Sequence, residues 1–368
     1  MNKRTKKFIL SLLWLLIFPV TLVLTTLASA NHEIVESFYS EKVYKFVSFI
    51  IPFQYIPYFS FSEVLFVLII VLVIIWLIIF IVRLVRNRED RKWRILIVIR
   101  NTLIICAVFY FLFYFLWGFN YYRATYSEIA ELPLQESSTE ELKELCSALI
   151  TKTNDARALL PSADDDTLDK PMSRADLQNI SKGAYAKAMD DSIPGIITSS
   201  SNPKPLISSA FFSYAGISGI YNPFTVESNY NDDVPMPLKG ASICHELAHR
   251  QGFAREDEAN FISYLICTNS DDKYLNYSGF LLATIHSMNR LYEIDKNSFN
   301  ELRGLYNKDV NADLAKHNEF WRAHEGIVEE ISSSINDSYL KNNNQTDGVA
   351  SYNRMVDLLL AQHNIEGI

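Results

Sequence analysis

Two long apolar runs, Phe61 to Val82 and Ile95 to about Trp117, constrain this chain more than any other feature. The first carries a single charge, Glu63, near its start. A helix rises about 1.5 Å per residue and the hydrocarbon layer of a bilayer is about 30 Å thick, so roughly 20 such residues span it. A lone segment there must be a helix, because no water is present to satisfy an open backbone. A third run, Phe8 to Leu27, follows Lys3, Arg4, Lys6 and Lys7. Ala28-Ser-Ala30 after it resembles a signal-cleavage site, but the run is long for a signal peptide. A retained anchor is therefore expected, kinked at Pro19. Spans are placed near residues 8–28, 61–82 and 95–117.

Charge gives these spans a direction. Residues 83–94 hold six Lys and Arg, and the positive-inside rule puts that loop and the N-terminus in the cytoplasm. Residue 31 and everything from 123 onward are then expected outside the cytoplasm. Residues 31–60 are rich in Tyr and Phe. These rings suit either the membrane interface or packing against a soluble domain. The chain divides by charge at the same place. Residues 1–122 carry 13 Lys and Arg against 6 Asp and Glu, whereas 123–368 carry 21 against 36. A basic, apolar membrane region (1–122) and an acidic soluble domain (123–368) follow, and nucleic acid is excluded as a partner.

The soluble part reads as α+β and mostly helical. Ser138-Thr-Glu-Glu141 opens a helix reaching about Leu159, and Ser173 caps another reaching Met189. The acidic stretch 164–169 lacks the spacing of a calcium loop and reads as solvated. Residues 192–205 read as a loop. Leu206 to Val226, with Gly216 and Gly219, favours one or two short strands. Tyr277 to Glu293, Ile327 to Tyr339 and Val349 to Gln362 read as helices. Cys146, Cys244 and Cys267 suit small buried thiols, with a Cys244–Cys267 disulfide left open.

One stretch points to chemistry. Ala241 to Gly252 contains His245-Glu246-x-x-His249. Residues four apart share a helix face, so both imidazoles can address one ion while Glu246 reaches a water bound to it. Gly252 suits the end of that helix. A second helix near Arg255 then offers a third ligand. Glu256 and Asn260 share a face, giving a carboxylate ligand and a hydrogen-bonding group for a ligand His. Glu258 is the competitor, about 160° around the helix. Tyr214 and Tyr221 are candidate oxyanion donors, and His286, His317 and His324 are read as structural.

The stretch His245-Glu-Leu-Ala-His-Arg-Gln-Gly-Phe-Ala-Arg-Glu-Asp-Glu-Ala-Asn-Phe261 resembles DUF3810, a family of bacterial membrane proteins. The likeness extends to Gly216-Ile-Ser-Gly-Ile-Tyr-Asn-Pro-Phe-Thr225 and to Asp347-Gly-Val-Ala-Ser-Tyr-Asn-Arg-Met-Val-Asp-Leu-Leu359. The motif is also similar to the glutamate-ligand zincin peptidases, in which Asp commonly stands where this chain has Asn260. The resemblance implies a zincin-like domain, and an edge strand beside the metal helix that pairs with extended substrate. Residues 206–226 or 230–237 would supply that strand.

The expectation is a multi-pass protein of the bacterial cell membrane. It would be a zinc metallopeptidase with one ion on His245, His249 and Glu256, Glu246 as general base, and a peptide or protein substrate. A zinc-binding membrane sensor or binding module without catalysis is the alternative.

Overall fold

A computed structural model describes residues 3–86, 90–162, 172–197, 201–345, 348 and 354–366. The acidic stretch 164–169 and parts of the 83–94 loop, of the 192–205 loop and of the 349–362 helix lie outside these residues. The chain forms two compact units, Met1–Val47 with Phe61–Arg123, and Ser48–Ser60 with Ala124–Ile368.

The first unit contains three helices long and apolar enough to cross a membrane: α1 (Lys3–Ser29), α2 (Phe61–Arg86) and α3 (Arg91–Leu116). Pro19 marks α1 as anticipated. It lacks an N–H and its ring crowds the carbonyl of residue 15, and the helix tightens to 3₁₀ over Leu12–Leu16. The connection after α1 winds back against the aromatic end of α3. Tyr39 donates to the Phe115 carbonyl at 3.0 Å, and Ser40 to Asn120 Oδ1 at 2.9 Å. Arg123 closes the unit with a two-pronged pair to Glu36, at 2.8 and 2.6 Å.

The second unit is a helical core with a small sheet. Its main helices are α4 (Thr139–Ala158), α5 (Arg174–Asp190), α7 (Met236–Arg250), α8 (Glu256–Thr268), α9 (Lys273–Ile294), α12 (Ile327–Asn342) and α13 (Met355–Glu366). Both predicted caps are present. Ser138 and Glu141 form a reciprocal capping box, and the Ser173 hydroxyl accepts from the Asp176 N–H. Leu149, Ile243, Leu247, Ile262, Ile266, Leu291 and Leu359 fill the core between these helices. Arg157, Asp313 and Tyr277 clamp it at one side. Arg157 Nε lies 2.6 Å from Asp313 Oδ2, and the Tyr277 hydroxyl donates to the same oxygen at 2.7 Å.

The sheet runs β1 (Lys204–Pro205), β3 (Glu227–Tyr230), β2 (Gly219–Asn222), with β1–β3 parallel and β2–β3 antiparallel. Only part of the 206–226 expectation is strand. Ser209–Tyr214 forms a short helix, α6, despite its β-favouring aromatics. The Ser213 hydroxyl bonds back to the Ser209 carbonyl, and Asn231 donates to both Ser213 and the Ile217 carbonyl. This local network overrides a weak strand propensity. Helices α10 (Lys296–Arg303) and α11 (Lys308–His324) had no counterpart in the sequence reading, nor had the shorter helical segments Val35–Tyr44, Lys45–Ile50 and Tyr126–Ile129.

The boundary between regions also differs from the expected 122/123 cut. Residues 48–60, which lie between α1 and α2 in sequence, form a strap within the second unit. Lys204 Nζ donates to the Phe53 carbonyl and Gln178 Nε2 to the Pro57 carbonyl. Aromatic composition alone could not distinguish an interfacial loop from one held by such long-range partners.

Candidate metal centre

Helix α7 begins on Pro235 and Pro237 and ends at Arg250. Its C-terminus is a Schellman turn. Gly252 takes φ +91°, its N–H bonds to the His249 carbonyl at 2.9 Å, and the Phe253 N–H bonds to the Ala248 carbonyl at 3.3 Å. A left-handed residue is cheap only as glycine, which is why the helix stops where predicted. The turn does more than end a helix. It folds the Phe253 carbonyl back onto its own helix, where it accepts a 2.7 Å hydrogen bond from His249 Nδ1.

His245 is oriented from the other helix. Its Nδ1 donates to Asn260 Oδ1 at 2.7 Å. With both Nδ1 atoms committed, both Nε2 atoms are left as donors to an ion. Glu256 Oε2 lies 3.2 Å from His245 Nε2 and 3.5 Å from His249 Nε2. Bonds of about 2.0–2.1 Å in a tetrahedral zinc site put ligand atoms about 3.3 Å apart, so these separations fit one such ion. All three donor atoms fall within 4.8 Å of one another.

Glu258 is used elsewhere. Its Oε1 accepts from the Tyr126 N–H at 2.9 Å and from Arg255 at 2.8 Å, which ties α8 to the segment entering the unit. Glu256 is instead steadied through its own N–H, which donates to Gln345 Oε1 at 3.2 Å.

The electrostatics suit a cation. Burial acts to raise the Glu256 carboxyl, but the His249 and His245 imidazoles outweigh it and hold the group well below the usual carboxylate range. Burial opposes protonation of His249, yet the charge and hydrogen bond of Glu256 push it up to about 9.

Glu246 completes the site. Burial lifts its carboxyl to about 7, against the pull of the two imidazoles and with a further push from Glu256. Its Oε2 is buried without a hydrogen-bond partner among the described residues. Leaving such an atom unpaired costs about 1–3 kcal/mol. The side chain lies against the edge strand β2 at Gly219, where a Cβ would come within 2.5 Å of Oε1 and 2.6 Å of Cγ. Next along that face, the Tyr221 ring is 6.4 Å from that of His249, centroid to centroid. On β3, the Ser228 hydroxyl donates to the Glu246 carbonyl at 2.8 Å and fixes the sheet to α7.

The other candidates separate cleanly. Tyr214 is half-exposed and packs on His324, whereas Tyr221 lines the site. His317 and His324 make ring contacts on α11. His286 on α9 is lowered to about 4 by burial, with His245 nearby. Cys244 and Cys267 are buried free thiols and are not among the donors. Sequence reasoning missed Phe253, Gly219 and Gln345. The first acts through its backbone and the last lies 89 residues from its partner. Only Gly219 left a trace, as a glycine within the Gly216–Thr225 stretch.

Fold and site together define a class: a chain with three membrane-type helices and a His-Glu-x-x-His donor set completed by a carboxylate from the next helix. The chain matches the family described as Protein of unknown function (DUF3810) over residues 39–360, and it belongs to that family. No curated protein and no solved structure matches it. The matched region includes parts of both units, from Tyr39 to Leu360.

Proposed function

We propose that this protein is a membrane-anchored zinc peptidase. The observation that carries the reading is the convergence of His245 Nε2, His249 Nε2 and Glu256 Oε2, with Glu246 buried beside them and one of its oxygens unpaired. His245, His249 and Glu256 would hold a zinc ion, which would supply Lewis acidity toward a carbonyl and toward water near neutral pH. Glu246 takes the proton of the attacking water and passes it to the leaving amine, a task suited to a buried carboxylate with an unpaired oxygen beside the donor set. Asn260 and the Phe253 carbonyl keep the ligand rings in place. Gly219 keeps the edge strand close to Glu246, and β2, at the edge of the sheet among the described residues, is the strand with which an extended peptide would pair.

The topology proposed is three spans, with the N-terminus and the 83–94 loop in the cytoplasm of a bacterial cell and the metal-bearing unit outside. Its support is connectivity. Residues 48–60 and 124–368 share one compact unit and therefore one side of the membrane. The two apolar helices between them must then cross and return, leaving the basic loop on the opposite side.

The test uses full-length protein in lipid nanodiscs, with metal measured by elemental analysis and turnover on a fluorogenic peptide library. Wild type should hold one equivalent of zinc, lost in His245→Ala and Glu256→Ala. Glu246→Gln and Gly219→Ala should keep the metal and lose at least about 100-fold in turnover, the scale of general-base catalysis. Unchanged turnover in Glu246→Gln would refute its role. A metal-binding but inactive wild type would favour the non-catalytic sensor.

A further inference from the structure

The last residue of α7, Arg250, is almost fully buried. A buried guanidinium is costly unless its protons are taken up. Its Nε donates to Gln54 Oε1 at 2.5 Å, across 196 residues of sequence. Gln54 is itself fully buried, and its amide is held from within the strap. Nε2 donates to the Ile51 carbonyl at 3.0 Å and to the Ser48 carbonyl. With both amide protons committed to carbonyls, the amide oxygen is the atom left for Arg250. The strap is in turn fastened to the unit. Asn202 donates from its backbone N–H to the Gln54 carbonyl at 3.3 Å and from its side chain to the Tyr55 carbonyl at 3.0 Å.

Arg250 precedes the turn that aims His249. Residues 250–252 link His249 to Phe253, whose carbonyl holds the His249 ring. That turn is held from outside the helix, Arg250 by Gln54 and Gln251 by the Ile197 N–H at 3.0 Å. Moving Arg250 moves the turn, the Phe253 carbonyl and then the ring. We infer that Gln54 is a positioning residue for the metal ligand His249, acting through Arg250, so that the loop between the first two apolar helices is a working part of the metal site. The inference rests on the metal-centre reading above.

The experiment loads full-length protein in nanodiscs with cobalt(II), whose visible absorption reports ligand geometry. Thermal unfolding is followed in parallel. Gln54→Met removes the acceptor at similar size. It should shift the cobalt band and weaken cobalt binding about tenfold, the low end for partners that orient a ligand. Gln54→Glu keeps an acceptor for Arg250 but sets oxygen against the Ser48 and Ile51 carbonyls, so it should return the band toward its wild-type position while lowering the melting temperature. Gln178→Leu frees the strap at Pro57, and the chain at Pro203, without touching Gln54. It should lower the melting temperature yet leave the band in place. An unchanged band and affinity in Gln54→Met, or an equal change in Gln178→Leu, overturns the inference while leaving the metal reading intact. Should Gln54→Met not fold, Gln54→Asn withdraws the amide by one methylene and is judged by the same band. A wild type that takes up no cobalt refutes the metal reading, and this inference with it.

Discussion

Helices α2 and α8 solve opposite problems. Across the middle of α2 the large apolar side chains face outward, with Ile69, Ile74 and Ile78 at 44%, 50% and 57% exposure. Helix α8 opens with three acids, and Glu256 and Glu258 are buried together with Asn260. The first helix satisfies its own backbone and, in a bilayer, needs no particular neighbour. The second buries groups that are tolerable only beside named partners: imidazoles for Glu256 and Asn260, and the Tyr126 N–H for Glu258. One region is specified by composition, the other by which distant residue arrives at which place.

That contrast can be broken or sharpened by substitution. The largest effect is expected in the second unit at Asp313→Ala, which strands the buried Arg157 and Tyr277 and should cost about 3–5 kcal/mol in chemical denaturation. A loss below about 1 kcal/mol would mean that the clamp is replaceable and the unit less partner-dependent than argued. In the first unit, Ile74→Arg at the middle of α2 should cost about 2.5–3.5 kcal/mol in a membrane-insertion assay, with smaller penalties toward either end. A flat profile would show that α2 does not cross. The smallest effect is at Asn260. Asn260→Ala should weaken zinc binding about 10–100-fold by freeing the His245 ring, whereas Asn260→Asp should hold it at least as well as wild type. Equal affinities for all three would remove Asn260 from the orientation of His245.

The same contrast explains what could be read from the sequence. The three apolar helices and the caps at Ser138 and Ser173 are local signals, and so is the glycine stop at residue 252. The His245, His249 and Glu256 set was legible because it is almost local, since twelve positions on two consecutive helices contain it. The choice between Glu256 and Glu258 was only weakly decided by helix geometry. In the structure it turns on Tyr126 and Gln345, which approach from opposite directions in the chain. The strap was illegible for the same reason. Its composition fits an interface as well as a packed loop, and distant partners such as Arg250, Lys204, Asn202 and Gln178 distinguish the two.

The strap also sets an order of events during synthesis. Gln54 leaves the ribosome 196 residues before Arg250. At about 5–20 residues per second, that interval is roughly 10–40 s. Throughout it the strap waits while the two apolar helices α2 and α3 are made. Its partners Gln178, Asn202, Lys204 and Arg250 all arrive after both of those helices. A chain halted just before α7 would therefore carry Gln54 with its amide oxygen unclaimed, and closing the second unit joins an early segment to residues made well after the apolar helices.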